Sequence, residues 1–256
     1  MCGIFCSIAR NGFVHPDAST KQLLHSRGPD SSGQHLVTID TKDASKVHAT
    51  FHSTVLSLRG QSIVEQPLRD GSTQSVLCWN GEAWSIGDET VTGNDSELVF
   101  ARLIAASSAP SSELSPRAVI TLLASIRGPY AFVFYDAPHK LLYYGRDCLG
   151  RRSLLRKFTP DGTIVLSSVC DNASGESWAE VEADGIYVLD LGHTPSDESL
   201  LSPQHIPHLG AEAEDCSTQL SFVGKSPPHS VALTKPDLTI PGLESQHRQR
   251  RVITRG

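Results

Sequence analysis

The chain has 256 residues, 39% of them apolar, and a formal net charge of −6. That is enough hydrophobic material for one substantial core, with the wrong sign of charge for an electrostatic footprint on DNA or an anionic membrane. No basic leader runs into a long apolar stretch, and no segment approaches the ~20 apolar residues of a membrane span. The six cysteines, Cys2, Cys6, Cys78, Cys148, Cys170 and Cys216, form no C-x-x-C pair and have no partnering His-x-x-x-His. No metal site is therefore indicated, and reduced thiols in a cytoplasmic protein are expected, with neither nucleic acid nor membrane as partner.

Gly3 to Ala9 is an apolar run bounded by Arg10-Asn11-Gly12, which predicts a buried strand ending in a turn, with Cys2 at its start. Asp17 to His25 predicts a short helix, broken at Gly28-Pro29. Strands are predicted at 34–39, 49–58 and 75–79. Asn94 and Glu97 have capping-box spacing ahead of Val99, Phe100, Leu103 and Ile104, which share one helical face. Ser115-Pro116 predicts a second helix, with Ser as cap and Pro at the first helical position. Further strands are predicted at 130–135, 141–145, 163–169 and 185–191. Helices grouped between runs of strands imply separate layers of each type. Beyond Ser202 prolines interrupt the chain, so a domain at 2–195 followed by a mobile, Pro-rich tail or linker at 196–256 is expected. The basic run Gln246 to Arg251 is short enough to be an ordinary solvated stretch.

Removal of Met1 would leave Cys2 with a thiol and a free α-amine on one residue, a nucleophile and a base as a unit. An α-amine titrates near ~7.7–8.0, so a useful fraction is neutral at pH 7. A cysteine near a terminus is more often a small buried hydrophobe. Further segments change that balance. Cys2-Gly3-Ile4, Arg27-Gly28-Pro29-Asp30, Trp79-Asn80-Gly81-Glu82, Asn94-Asp95-Ser96-Glu97, Gly128-Pro129-Tyr130-Ala131-Phe132 and Gly145 to Leu155 occur in that order. Together they resemble the class II glutamine amidotransferase domain of asparagine synthetases, from residue 2 to about residue 190. Val55 to Gly60 and Gly150 to Leu155 are similar to one branch of that family, the asparagine synthetase domain-containing proteins.

The resemblance implies an α+β fold, a four-layer α-β-β-α sandwich of two mainly antiparallel sheets, as in N-terminal nucleophile hydrolases. It also implies hydrolysis of glutamine to glutamate and ammonia through a thioester on Cys2, in asparagine biosynthesis. Asn80 and Gly81 fall where the family places its oxyanion hole, although an Asn-Gly pair by itself also makes a hairpin turn. Arg59 resembles the clamp for the substrate α-carboxylate, since a planar guanidinium makes paired charge-assisted hydrogen bonds. Asp95 resembles the receiver of the α-ammonium, with Glu82 placed on that side of the pocket, and Asp95 is also a favourable helix-terminal acid. Arg27 and Gly28 are read as supports for the loop facing Cys2, and Arg146 and Asp147 as structural.

There are departures from the family pattern. Ser26 stands where many relatives have His, and Ala83-Trp84-Ser85 where many have Ile-Tyr-Asn. The segment after Arg59 is one residue longer, which puts substrate contacts from Ile63 and Val64 in doubt. The Ser-Gly-Gly-x-Asp-Ser phosphate loop of the synthetase domain is missing from these residues, so no cofactor is expected for this domain. ATP and Mg would serve only a synthetase domain. Two further readings stand beside the glutaminase: a catalytically silent amidotransferase-fold interaction module, and an amidase for another amide. A glutaminase would pass its ammonia to a synthetase domain or subunit.

Overall fold

The computed structural model describes residues 1–108, 114–171, 177–193 and 202–208, all within one compact unit, Met1–Glu212. The first part of the chain forms β1 (Gly3–Ala9), α1 (Ala18–Arg27), β2 (Ser31–Asp40), β3 (Lys46–Val55), β4 (Leu68–Arg69) and β5 (Val76–Gly81). Then come β6 (Ser85–Ile86), β7 (Glu89–Thr90), α2 (Asp95–Ser107), α3 (Leu114–Ser125) and β8 (Ile126–Arg127). The remainder supplies β9 (Tyr130–Asp136), β10 (Leu141–Arg146), β11 (Leu155–Phe158), β12 (Ile164–Ser167), β13 (Ala179–Glu180), β14 (Gly185–Asp190) and β15 (Gln204–Pro207).

Two six-stranded sheets result, in the orders β13-β11-β12-β1-β3-β2 and β15-β14-β10-β9-β5-β4, with a small three-stranded sheet β7-β6-β8 beside them. Strand alternation sorts the side chains into layers. Ile4, Cys6 and Ile8 of β1 meet Val76 and Cys78 of β5 and Ala131, Val133 and Tyr135 of β9 in the core between the sheets. The other faces of β5 and β9, carrying Leu77, Trp79, Phe132 and Phe134, pack on Val99 and Leu103 of α2 and Val119 and Leu123 of α3. On the opposite outer face, Phe5 and Val165 pack with Leu24 of α1. The order of layers is thus α1, sheet, sheet, α2 with α3, which is the four-layer α-β-β-α sandwich.

Local chemistry accounts for most element ends. Asp17 caps α1 by accepting from the Thr20 N–H at 2.7 Å, and α1 runs to Arg27, two residues past its predicted end. Asn94 caps α2 by accepting from the Ser96 and Glu97 N–H groups at 3.0 and 3.4 Å. Helix α3 begins at Leu114, so Ser115 and Pro116 sit in its first turn rather than at the predicted cap and first position, a shift within the usual spread of helix ends. The strand predicted to reach Leu58 stops at Val55, and residues 56–59 leave the sheet to line a cleft. Strand β15 pairs with β14 through Val188 and Gln204, so the second sheet takes in residues beyond the boundary expected at 195. Apart from 202–208, the expected tail lies outside the described residues. No helix among the described residues is long and apolar enough to cross a membrane.

Candidate active site

A cleft opens beside the start of β1 and the end of β5, enclosing about 490 Å³ of atom-free space that is partly open to solvent. Cys2, Arg59, Asn80, Gly81, Glu82 and Asp95 all stand in its wall, together with Met1, Gln66, Asn94 and Arg152. Strand parity explains the meeting of the first sheet with the second. Cys2 is two residues before Ile4, and Asn80 two after Cys78, so both follow the series that points between the sheets.

Cys2 is half-buried, with its Sγ 3.8 Å from the Leu56 carbonyl oxygen. Burial pushes the thiol above its ordinary range and the nearby Asp95 carboxylate adds to the rise, while the Leu56 contact and the positive charges of the terminal amine and Arg27 oppose it. The α-amine present is that of Met1, one residue ahead of where the amine of a processed Cys2 would stand. It donates to the Arg27 carbonyl at 3.3 Å. Burial holds this amine below its ordinary value, helped by the charges of Arg27 and Arg152 and opposed by Cys2 and Glu82. Arg27 Nε donates to the Cys2 carbonyl at 3.2 Å and its Nη1 to the Ser168 carbonyl at 3.4 Å, so Arg27 holds the terminal strand in place. A Cβ on Gly28 would lie 2.6 Å from backbone atoms of Thr54 and Val55, and only glycine lets α1 end this close to β3.

Asn80 is 1% exposed, and its Nδ2 has no hydrogen-bond partner among the described residues. A buried amide donor without an acceptor is costly, which makes it a group prepared for a ligand oxygen. The hairpin-turn reading of Asn80-Gly81 does not hold, because both residues are in β5, in register with Ala131 and Tyr130. A Cβ on Gly81 would lie 2.7 Å from two Trp79 ring atoms, so the backbone here can have no side chain.

Asp95 is the first residue of α2 and is 5% exposed. Its Oδ2 accepts from Trp79 Nε1 at 2.9 Å and from the Ala83 N–H at 2.8 Å. Arg59 donates from Nη1 to the Ala83 carbonyl at 2.7 Å and from Nη2 to the Val91 carbonyl at 3.0 Å. A guanidinium has five donors, so two bonds fix the group and leave others for a carboxylate. Glu82 accepts from Arg152 Nη2 at 2.7 Å, so its carboxylate is already shared with a cation that the sequence reading gave no role.

Other residues in the wall escaped the sequence reading. Gln66, 4% exposed, accepts the Trp79 N–H at 2.7 Å through Oε1, filling a ladder position of β5 with a side chain. Asn94 Nδ2 reaches the Arg59 carbonyl at 3.4 Å. The only available signal for Arg152 was its place in the Gly145 to Leu155 segment. Val64 lines the cleft, whereas Ile63 is 50% exposed and does not. Arg146 donates to the Arg152, Val181 and Gly150 carbonyls. Asp147 accepts from the Tyr130, Leu149 and Arg151 backbone and from Arg151 Nε, as structural residues do. Among the described residues no cluster of His, Cys, Asp or Glu could hold a metal ion.

Two antiparallel sheets stacked between helices, with a cysteine heading a central strand, make up the fold of the class II glutamine amidotransferases. A glutamine phosphoribosylpyrophosphate amidotransferase from B. subtilis shares it, with a TM-score of 0.51 at 19% identity over 73% of this chain and 47% of that one. The chain is a relative of the asparagine synthetase domain-containing proteins. It is 33% identical over 242 residues to asparagine synthetase domain-containing protein 1 of Mus musculus, covering 91% of this chain and 36% of the relative. To the protein of the same name from Gallus gallus it is 36% identical over 210 residues, covering 78% and 31%. The chain thus spans about a third of the length of the curated relatives it matches. No protein-family model matches it.

Proposed function

We propose that this chain is the glutaminase half of an asparagine synthetase-like protein, hydrolysing glutamine to glutamate and ammonia through a thioester on Cys2 once Met1 is removed. The observation that carries this reading is the unpartnered, buried Nδ2 of Asn80 in the same cleft wall as Cys2. The neutral α-amine takes the Cys2 proton, and the thiolate attacks the γ-carboxamide carbon. The resulting oxyanion lies against the Asn80 Nδ2 and the Gly81 N–H. Collapse of the tetrahedral adduct breaks the C–N bond, and the proton held by the amine leaves with ammonia. Water then attacks the thioester carbonyl, releasing glutamate and restoring the thiol.

Arg59 takes the substrate α-carboxylate, and Asp95 with Glu82 the α-ammonium, so glutamine is chosen by groups remote from the bond that breaks. None of these steps draws on ATP or Mg, which belong to the synthetase half. Ammonia passes to a synthetase domain or subunit, in the cytoplasm.

Intact mass of the purified chain, with and without a glutamine-analogue alkylator, tests processing and chemistry together. Loss of Met1, one adduct absent from Cys2→Ala, and glutamate release support the proposal. A second reading is a silent interaction module. Retained Met1 with no adduct and no glutamate release would establish that reading instead.

A further inference from the structure

The ladder beside Asn80 is completed by a side chain. Strand β4 pairs Leu68 with Leu77 and Arg69 with Val76, and the same register carried two residues further sets Gln66 opposite Trp79. A strand continued to that point would offer the Gln66 carbonyl to the Trp79 N–H. That carbonyl lies instead against Gly33 of β2, where an added Cβ would run into it, and the Gln66 side-chain Oε1 accepts the Trp79 N–H at 2.7 Å. Gln66 is 4% exposed, so the acceptor is packed in place as well as bonded.

Alternation along β5 gives this replacement its consequence. The Glu82 N–H goes to the Pro129 carbonyl at 2.9 Å, on the β9 side, so the N–H groups of Trp79 and Gly81 turn to the opposite edge. A main-chain strand running past Gln66 would reach Gly81 next and take its N–H, whereas a side chain ends the ladder at Trp79. Trp79 is fixed at two further points, by Asp95 at its Nε1 and by stacking on Tyr130 with ring centroids 5.2 Å apart. Asn80 follows directly.

We propose that Gln66 is a positioning residue for the anion site: by accepting the Trp79 N–H it pins β5 immediately before Asn80 and ends the pairing on that edge before Gly81. The proposal rests on the glutaminase reading, in which Asn80 Nδ2 and the Gly81 N–H take the oxyanion. A buried N–H is costly to leave unmet, so without the Gln66 acceptor this end of β5 shifts towards another partner and carries both donors with it.

Gln66→Met keeps the length of the side chain and removes the acceptor. Gln66→Asn, too short to reach, replaces it should the Met variant fail to fold by circular dichroism. In the folded variant kcat for glutamine should fall at least about fivefold with KM within about twofold of the parent, a part of the hundred- to thousandfold that outright loss of a donor costs. In an Asn80→Ala background the fold-loss should shrink to about half or less, because one of the groups that Gln66 places is already gone. Amide exchange and resonances of isotope-labelled chains read the placement without turnover. The Trp79 N–H should exchange at least about tenfold faster and the Asn80 carboxamide resonances should move, with the amides of β12 unchanged. Gln66→Glu, which keeps an acceptor oxygen at the same reach, should restore the protection of Trp79. Unmoved Asn80 resonances, a loss confined to KM, or equal fold-losses with and without Asn80 overturns the proposal. An inactive parent chain would count against the glutaminase reading, while the resonances still judged whether Gln66 places Asn80.

Discussion

Asp95 Oδ2 stands 2.9 Å from the Trp79 indole nitrogen, so the first residue of α2 is bonded to a side chain on β5, immediately before Asn80. The same oxygen takes the Ala83 N–H. One carboxylate therefore sets the spacing between the helix and the 80–83 segment, and also offers charge to the cleft. Asp95→Asn should separate the two uses. The amide oxygen can still accept from Trp79, at a cost to stability of about 1–2 kcal/mol because the charged acceptor is lost. KM for glutamine should rise at least about tenfold, the equivalent of one lost charge-assisted bond of about 1.4 kcal/mol or more. Thermal unfolding together with steady-state kinetics checks both parts.

For Asn80→Ala the balance is the reverse. Its Nδ2 makes no hydrogen bond among the described residues, so removing that donor breaks none of the bonds seen in the fold. The expected loss is in kcat, about a hundred- to a thousandfold, the usual effect of deleting one oxyanion donor. A kcat close to the parent value would mean that Asn80 is not an oxyanion donor.

Gly28→Ala should act on the fold first. The added Cβ meets backbone of Thr54 and Val55 at 2.6 Å, which cannot yield as a flexible side chain would. About 1–3 kcal/mol of destabilisation is expected, the usual range for overpacking. Since Arg27 precedes this contact and bonds the Cys2 carbonyl, glutaminase activity should fall at temperatures where the variant is still folded. Urea unfolding and activity measured in parallel test the link.

The core thiols predict a pH dependence of stability. Burial pushes Cys78 from its ordinary value near 9 up to about 12, and Cys6 rises by the same cause. Between those values the unfolded chain has lost the thiol proton and the folded chain has kept it. Fewer protons bound in the unfolded state means that stability falls as pH rises, by up to about 1.4 kcal/mol per pH unit for each such group. Urea midpoints should therefore drop from pH 9 towards pH 11, and Cys78→Ala should lessen the slope. In the native chain at pH 8, an alkylating reagent should reach exposed Cys148 while Cys6 and Cys78 remain protected until unfolding.

Period and punctuation in the sequence located the elements that local rules govern. The apolar run after Cys2 is β1, Asn94 caps α2, and the buried series on β9 and β10 follows their β-rich segments. Local rules failed where a neighbour distant in the chain decides. The hydrophobic character of 55–58 resembles strand, yet pairing ends at Val55 because Leu56 to Arg59 turn to form the cleft. Gln66 gave no signal in the sequence, and only the fold brings its Oε1 to the Trp79 N–H.

By itself the sequence located most strands and helices, because periodicity and capping are local properties, while its resemblance to the glutamine amidotransferases implied the layering and nominated Cys2, Asn80, Gly81, Arg59 and Asp95 for the site. The tertiary structure alone decided that Asn80 lies within a strand rather than making a turn, that Arg59 is fixed by the Ala83 and Val91 carbonyls, and that Glu82 is paired with Arg152. These depend on which strand lies beside which and on where the backbone stops pairing. Such contacts join residues far apart in the chain, and no short window of sequence contains both partners.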